Sequence, residues 1–155
     1  MKVMRSIITI TFIISFTTSV FAEIIKPKPD IKPEEVISIQ LSSLMKNDHP
    51  YKNAGIEQTW EFAHPSNRAY TGPIQKFTRM MYAPSYAVML NHLKHDILDV
   101  KLEENVAYFF IELTAEDGKM YGFKWTLNKV NEEGIYKNCW MTTAVSTPMP
   151  LSTSS

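Results

Sequence analysis

The sequence predicts one α+β domain, with N-terminal helices packed on an antiparallel sheet of about four strands. Three observations lead to this class. Apolar residues recur at helical spacing between residues 33 and 93, and from residue 94 they alternate with polar residues as in a half-buried strand. The pair Asp117-Gly118 lies between two strand-like runs and is a hairpin signal, so neighbouring strands are expected to pair antiparallel.

The composition excludes some classes of protein. The 155 residues include 16 basic and 16 acidic side chains, without the excess of positive charge that is typical of nucleic-acid-binding proteins. The hydrophobic fraction of 45% suits a packed domain, and Cys139, the single cysteine, can form no internal disulfide. No glycine-rich phosphate loop, GxSxG, HExxH or paired-cysteine motif occurs, so no cofactor is expected.

Residues 1–22 have the layout of a cleaved secretory signal. Two basic residues precede an uncharged, mostly apolar run over 7–16, and small residues stand before a break after Ala22. The alternative is an uncleaved anchor over 7–22, which has only 16 residues, whereas about 20 span a bilayer. We therefore expect export to a periplasm, the extracellular space or a eukaryotic lumen, with no stable membrane anchor after cleavage.

The predicted helices occupy the first half of the domain. Residues 23–32 form an extended lead-in, and the single domain is expected to span 33–145. Its first helix begins at Pro33, because proline fits a first helical turn and two acids follow it. Three more helical segments are bounded by prolines. The four apolar stripes are Ile37–Leu41–Leu44–Met45, Ile56–Trp60–Ala63, Ile74–Phe77–Met81 and Tyr86–Met89–Leu90–Leu93.

The predicted strands follow without an interdomain linker. They cover 98–102, 105–114, 119–130 and 136–145, and the longer ones are rich in β-branched and aromatic residues. The tail 146–155 is polar and contains prolines, so it is expected to be flexible.

The hairpin predicts which residues share a face of the sheet. A two-residue loop at Asp117-Gly118 places Tyr108, Phe110 and Glu112 on the same side as Phe123 and Trp125. This more aromatic face is expected to meet the helices and, together with Trp60, to line a ligand pocket. The opposite face, with Phe109, Ile111 and Leu113, would then be free for a dimer contact. A slip of one residue would exchange the two faces.

Two groups of titratable residues are candidates for chemistry. Glu112 would lie among aromatic rings, where desolvation suits a general acid or base; its alternative is a rim position or a pairing with a basic side chain. His92 and His95 are three residues apart with Asp96 beside them, a spacing compatible with metal ligation. A solvated helix end explains the two histidines better, so no metal is expected.

Several motifs resemble those of a known family. They are PEEVISIQLSSLMKND (33–48), AGIEQTWEFAHPSNRAYTGPIQKFTRMM (54–81) and CWMTTAV (139–145). The residues that match best are Trp60, Phe62-Ala63, Pro65, Asn67, Thr71-Gly72-Pro73 and Phe77, and Tyr86 matches outside the three motifs. On these residues the chain resembles the domain of unknown function 4864 family, which is similar to the nuclear-transport-factor-2-like group. The resemblance implies a cone of helices on a curved antiparallel sheet around an internal pocket. It implies no reaction.

Three functions are consistent with these observations. The first is a non-catalytic exported module that binds a small apolar ligand or a protein partner, in the cone pocket or on the sheet face. The second is an isomerase, dehydratase or hydrolase that uses Glu112 as its acid or base, although no residue-by-residue match to such enzymes is found. The third is an assembly role, with a homodimer formed through the sheet.

Overall fold

The computed structural model describes residues 23–151. The predicted signal at 1–22 and the last four residues, 152–155, lie outside the described residues. Within 23–151 no helix is both long and apolar enough to cross a membrane. The described elements, in chain order, are α1 Pro33–Met45, α2 Ala54–Glu61, α3 Pro65–Thr71, α4 Ile74–Met81, α5 Pro84–Ala87, β1 Lys94–Leu102, β2 Val106–Thr114, β3 Met120–Lys129, β4 Trp140–Val145 and β5 Met149–Leu151.

The helices α1 and α2 pack closely because a glycine lies at their contact. Gly55 donates its backbone N–H to the carbonyl of Asn47 at 2.9 Å. A Cβ at position 55 would lie 2.2 Å from the backbone oxygen of Ser43, so only glycine allows the two helices to approach this far. The Asn47 side chain, itself buried, accepts from Ile56 N–H at 3.1 Å and holds the first turn of α2.

The helix α3 was not predicted, because it has no apolar stripe and buries none of its residues. Its start is explained by local chemistry. Pro65 occupies the first turn, and the His64 ring nitrogen Nδ1 accepts from Ser66 N–H at 3.2 Å as a cap. The last predicted helical segment is also shorter than expected: α5 is one turn, and the chain then reverses at Asn91, where φ is +55°.

The sheet is antiparallel, with strand order β1-β2-β3-β4. The strands β4 and β5 share one edge of β3, since β4 pairs with residues 125–129 and β5 with residues 120–122. The predicted class, helices packed on a curved antiparallel sheet of about four strands, is therefore confirmed, and the short β5 is a fifth strand of the sheet. The tail differs from expectation, because Met149–Leu151 is ordered by its pairing with β3.

The register of the central hairpin differs by one residue from the prediction. The loop contains three residues instead of two: Ala115 N–H donates to Lys119 O at 2.8 Å, and Gly118 N–H donates to Ala115 O at 2.9 Å. Gly118 has φ +83°, the left-handed conformation that such a loop requires near its end. Phe109 consequently lies opposite Trp125.

This shift exchanges the two faces of β2 relative to β3, whose faces are as predicted. The side that meets the helices carries Phe109, Ile111 and Leu113 together with Phe123 and Trp125, all at most 1% exposed. The predicted dimer face is therefore part of the core. The predicted pocket residues Tyr108, Phe110 and Glu112 lie half-buried on the outer side instead. There the Phe110 ring lies across Gly122, where an added Cβ would come within 2.8 Å of it.

The helices leave β1 uncovered at the end of the sheet. This strand was expected to be half-buried, but most of its residues are exposed, including Leu98 and Leu102 at 53% and 56%. Ile97 and Val100 point to the same side as the core residues of β2 and are still 40% and 39% exposed. The core thus lies between the helices and the strands β2, β3 and β4.

Replacing Gly55 by alanine is expected to destabilise the protein by about 2–3 kcal/mol, because α1 and α2 would have to separate to admit the methyl group. Urea unfolding followed by circular dichroism measures the change. The control is Ala54→Gly at the neighbouring helical position, which introduces no clash and is expected to cost about 1 kcal/mol or less. An equal loss in both variants would contradict the close-packing argument.

Candidate functional site

A cavity of about 290 Å³ lies between the helices and the β3–β4 side of the sheet. Two of its lining residues, Tyr70 and Ala144, are exposed and mark its mouth. The full lining consists of Gln40, Leu44, Thr59, Ala63, Asn67, Tyr70, Thr71, Phe77, Met80, Met81, Tyr86, Met89, Trp125, Thr142, Ala144 and Val145.

Most of the cavity wall is apolar and comes from different elements. The helix α4 contributes Phe77 and Met81 from its buried stripe, and the turn after α5 contributes Met89. Trp125 reaches the wall from β3, and Leu44 reaches it from α1. Methionine and aromatic side chains together form a wall that is apolar and, at the methionines, adaptable in shape.

The lining contains no carboxylate, imidazole, amine, guanidinium or thiol group. Its titratable side chains are the two phenols, Tyr70 and Tyr86, and the Tyr86 hydroxyl donates to Val145 O at 3.3 Å. General acid–base chemistry at neutral pH needs a group that exchanges protons near pH 7, and metal binding needs several nitrogen, sulfur or carboxylate ligands. The residues of this wall fit binding and do not fit either of those chemistries.

Thr142 connects the polar groups at the inner end of the cavity. Its hydroxyl donates to Gln40 Oε1 at 2.7 Å and accepts from Trp125 Nε1 at 3.2 Å. Gln40 Nε2 in turn donates to the carbonyl of Thr59 at 3.0 Å. The Thr142 carbonyl accepts from Asn67 Nδ2 at 3.2 Å. These side chains are thus fixed by mutual hydrogen bonds before any ligand arrives.

The Thr59 hydroxyl is different, because its oxygen has no partner. Thr59 lies on α2, is 5% exposed and lines the cavity. Among residues 23–151, its Oγ1 is the buried side-chain polar atom left without a hydrogen bond. An unpartnered buried hydroxyl costs about 1–3 kcal/mol, so such a group in a native protein requires an explanation.

The structure separates the residues that were predicted to form one pocket. Trp125 lines the cavity, whereas Phe123 is buried in the core without reaching the lining. Trp60 does not line the cavity but packs against Phe77, which does; their ring centroids are 5.0 Å apart. Tyr108 and Phe110 lie on the outer side of the sheet, away from the cavity.

Glu112 does not line the cavity. It is opposite Asp96 on β1 and Gly122 on β3, half-buried on the outer side of the sheet. Its predicted neighbours Phe123 and Trp125 point to the other side. The expectation of a desolvated acid in a pocket is therefore wrong, and its physical cause is the extra residue in the hairpin loop.

The structure brings His92 and His95 together as a hydrogen-bonded pair. The His92 Nδ1 atom is 2.7 Å from Met89 O, and since a carbonyl only accepts, Nδ1 carries the proton. The Nε2 atom of His92 then accepts from His95 Nδ1 at 2.7 Å. Burial lowers the pKa of His92 to about 4, and burial also lowers the pKa of His95. Residues 23–151 contain no group of three potential metal ligands around this pair.

The contacts of Arg68 and Cys139 give both residues a structural role. The Arg68 guanidinium donates to the carbonyls of Trp60, Glu61 and Ala63 at 2.8–3.0 Å, and so completes the end of α2. It lies over the rings of Trp60 and Tyr136 at 5.3 Å. Cys139 is fully buried, and burial raises the pKa of its thiol, which keeps it unreactive.

None of the protein families, curated proteins or solved structures with which the chain was compared matches it. The resemblance to the domain of unknown function 4864 family stays a prediction made from the motifs.

Sequence reasoning did not find the residues at the polar end of the cavity. Gln40 lies in the apolar stripe of α1, and Thr142 of β4 lies opposite the buried Leu127 of β3, so each is a polar residue at a position that faces the core. A polar side chain at a core-facing position is the signal that the sequence offers for these two residues. Their contact joins positions 102 residues apart, and a single sequence gives no local indication of it.

Thr142→Val is expected to destabilise the protein by about 2–4 kcal/mol. Valine keeps the shape but leaves Gln40 Oε1 and Trp125 Nε1 buried without a partner. The control is Thr126→Val on the outer side of the sheet, which is expected to change the free energy of unfolding by less than about 0.5 kcal/mol. Chemical denaturation monitored by tryptophan fluorescence compares the two. Equal effects would show that the Thr142 hydroxyl contributes nothing specific.

His92 is expected to make stability depend on pH. The folded protein binds the proton on this ring less readily than the unfolded chain does, so stability falls as the pH drops from 6.5 to about 4. His92→Asn can still donate to Met89 O but cannot titrate. The difference in the free energy of unfolding between the wild-type protein and this variant, measured with urea, should therefore decrease as the pH falls through that range. A constant difference would contradict the role given to His92.

Proposed function

We propose that this protein is an exported, non-catalytic module that binds a small, neutral, largely apolar molecule in the cavity beside Trp125. The observation that carries the proposal is the cavity wall, which combines apolar side chains with an unpartnered hydroxyl and has no charged group. A charged ligand would lose its hydration there and gain no opposite charge, so a neutral ligand is favoured.

The volume limits the size of the ligand. The volume of about 290 Å³ is just below the range of small-molecule sites, which is about 300–1,000 Å³. A molecule with a single ring, two fused rings or a short alkyl chain suits this space. The exposed mouth at Tyr70 and Ala144 gives such a molecule a path from solvent without unfolding of the helices.

The polar recognition of the ligand is assigned to Thr59. The hydroxyls and amides around Thr142 are already bonded to one another, whereas Thr59 Oγ1 can still donate or accept one hydrogen bond. A ligand with one hydroxyl or carbonyl at the inner end of an apolar body would satisfy it. This bond would remove the cost of the unpartnered hydroxyl in the free protein.

Two further parts of the proposal rest on the sequence. Export is supported by the signal-like layout of residues 1–22. Membership of the nuclear-transport-factor-2-like group is supported by the family-like motifs and by the order of helices before a curved antiparallel sheet. A pocket enzyme based on Glu112 is not favoured, because that residue lies on the other side of the sheet from the cavity.

Three probe molecules test the chemistry of the cavity directly. They are 2-naphthol, 2-methylnaphthalene and 2-naphthoate, which share one bicyclic body and carry a hydroxyl, a methyl and a carboxylate. Binding is expected in the order naphthol, methylnaphthalene, naphthoate, with naphthoate the weakest because no cation lines the cavity. Titration followed by calorimetry, or by the combined fluorescence of the three tryptophans, measures the affinities. The proposal would be contradicted if naphthoate bound tightly, or if none of the three probes bound.

Thr59→Val separates ligand recognition from stability. Because Oγ1 has no partner, valine is expected to leave the melting temperature unchanged or raise it. Affinity for 2-naphthol should fall about tenfold, while affinity for 2-methylnaphthalene should not fall. The control is Thr78→Val on α4, which is outside the lining and should change neither affinity. Unchanged naphthol binding by Thr59→Val would remove Thr59 from the proposed site.

A further inference from the structure

The outer edge of β1 is an unpaired strand edge with exposed apolar side chains. In residues 23–151 this strand pairs with β2 on one side and with no strand on the other. Leu98, Val100 and Leu102 are 53%, 39% and 56% exposed, and Leu93 just before the strand is 60% exposed. A long apolar edge of this kind is a template for pairing with another strand.

The backbone direction shows which residues are available for that pairing. Glu103 N–H donates to Val106 O at 2.8 Å, so residue 103 and, by alternation, residues 101 and 99 bond towards β2. The backbone groups of Val100 and Leu102 then point to the free edge, whereas Leu98 lies at the register shift between Ile97 and Asp99, where the regular alternation is interrupted. In agreement with this, Val100 N–H is bound by the Asp99 carboxylate at 2.9 Å and not by β2.

The two charged residues next to Val100 are arranged symmetrically about it, and Lys101 in the single chain pairs with Glu103 at 2.9 Å. Asp99 precedes it and Lys101 follows it, and both side chains lie on the outer side of the sheet. If two copies of β1 met antiparallel with Val100 opposite Val100, each Asp99 would face Lys101 of the second copy. The regular ladder in this register covers residues 99–101 of each copy, because the register shift at Leu98 interrupts the strand before them. Moving the register to centre on residue 99 or 101 would instead oppose two aspartates or two lysines, which is destabilising.

We infer that the protein forms a homodimer in which two β1 strands pair antiparallel about Val100 and join the two sheets into one. The occupant of the edge is a second copy of this chain, because Asp99 and Lys101 make the strand complementary to itself in charge at this register. In the dimer, Val100 N–H exchanges its Asp99 partner for the backbone carbonyl of Val100 in the second copy. Asp99 is thereby released to pair with Lys101.

The interface is independent of the cavity. The proposed ligand site lies at the β3–β4 side of the sheet, and β1 forms the opposite end. Both sites can therefore be occupied together, and the failure of one proposal leaves the other untouched. The outer face around Phe110 is a different surface from the β1 edge, so the two surfaces can be tested separately.

Charge reversal with rescue tests the register. Protein from cells expressing the whole 155-residue chain is examined by sedimentation velocity over a wide concentration range. The wild type should reach a dimer, and Asp99→Lys or Lys101→Asp should each weaken dimerisation by about tenfold or more, since two attractive pairs become repulsive. The double variant D99K/K101D should restore it, because opposite charges again face each other. A mixture of the two single variants should form a heterodimer.

The control reverses a charge at the other end of the sheet. Glu133→Lys changes an exposed side chain in the connection between β3 and β4, and it should leave the dimer unchanged. Circular dichroism verifies that each variant is folded; where a single variant is unfolded, the double variant and its salt dependence decide the test. A wild type that stays monomeric at all concentrations would overturn the inference. So would a dimer that is insensitive to both single reversals, or a loss that the double variant fails to restore.

Discussion

The position of the helices on the sheet depends on Thr142. Its backbone N–H donates to Phe62 O at 2.7 Å and its carbonyl accepts from His64 N–H at 2.8 Å, so the chain after α2 runs beside β4 as a short parallel bridge. Its hydroxyl reaches Gln40 on α1 and Trp125 on β3. Because these groups are buried, a shift of β4 by one residue would leave several of them unpaired. One residue of an edge strand thereby fixes three helices, since Asn67 of α3 also bonds to it.

The character of the cavity follows from this network. Apart from the Thr59 hydroxyl, the polar groups around Thr142 use their hydrogen bonds on one another, which holds the inner end rigid and leaves little capacity to bind or move protons. The outer wall is built from α4 and the turn after α5, which lie outside the network and contribute Met80, Met81 and Met89. Flexible thioether side chains can adapt to the shape of an apolar body. The combination of a rigid polar end and an adaptable apolar wall suits binding of a neutral molecule more than catalysis.

Much of the fold could be predicted from the sequence, because helices with an apolar stripe and strands with alternating residues carry local signals. The helix α3 carries none, since it buries no side chain and is held by the His64 cap and by Arg68. Most of the cavity could not be predicted. Trp125 was expected in a pocket and lines it, but Gln40 and Thr142 meet across 102 positions, and Tyr108, Phe110 and Glu112 were placed on the wrong side. That error has a single source, the length of one hairpin loop.

Burial decides the length of that loop. A two-residue Asp-Gly turn is the stronger local preference, but it would point Glu112 into the core and Phe109, Ile111 and Leu113 away from it. Full burial of such apolar side chains stabilises by about 1.5–3 kcal/mol each, whereas an unpaired buried carboxylate costs several kcal/mol. With Glu116 added to the loop, Phe109, Ile111 and Leu113 are buried and the Glu112 carboxylate stays outside the core. Gly118 adopts the positive φ that the longer loop requires. The core therefore determines the turn, and with Glu112 excluded no acidic residue is buried within residues 23–151.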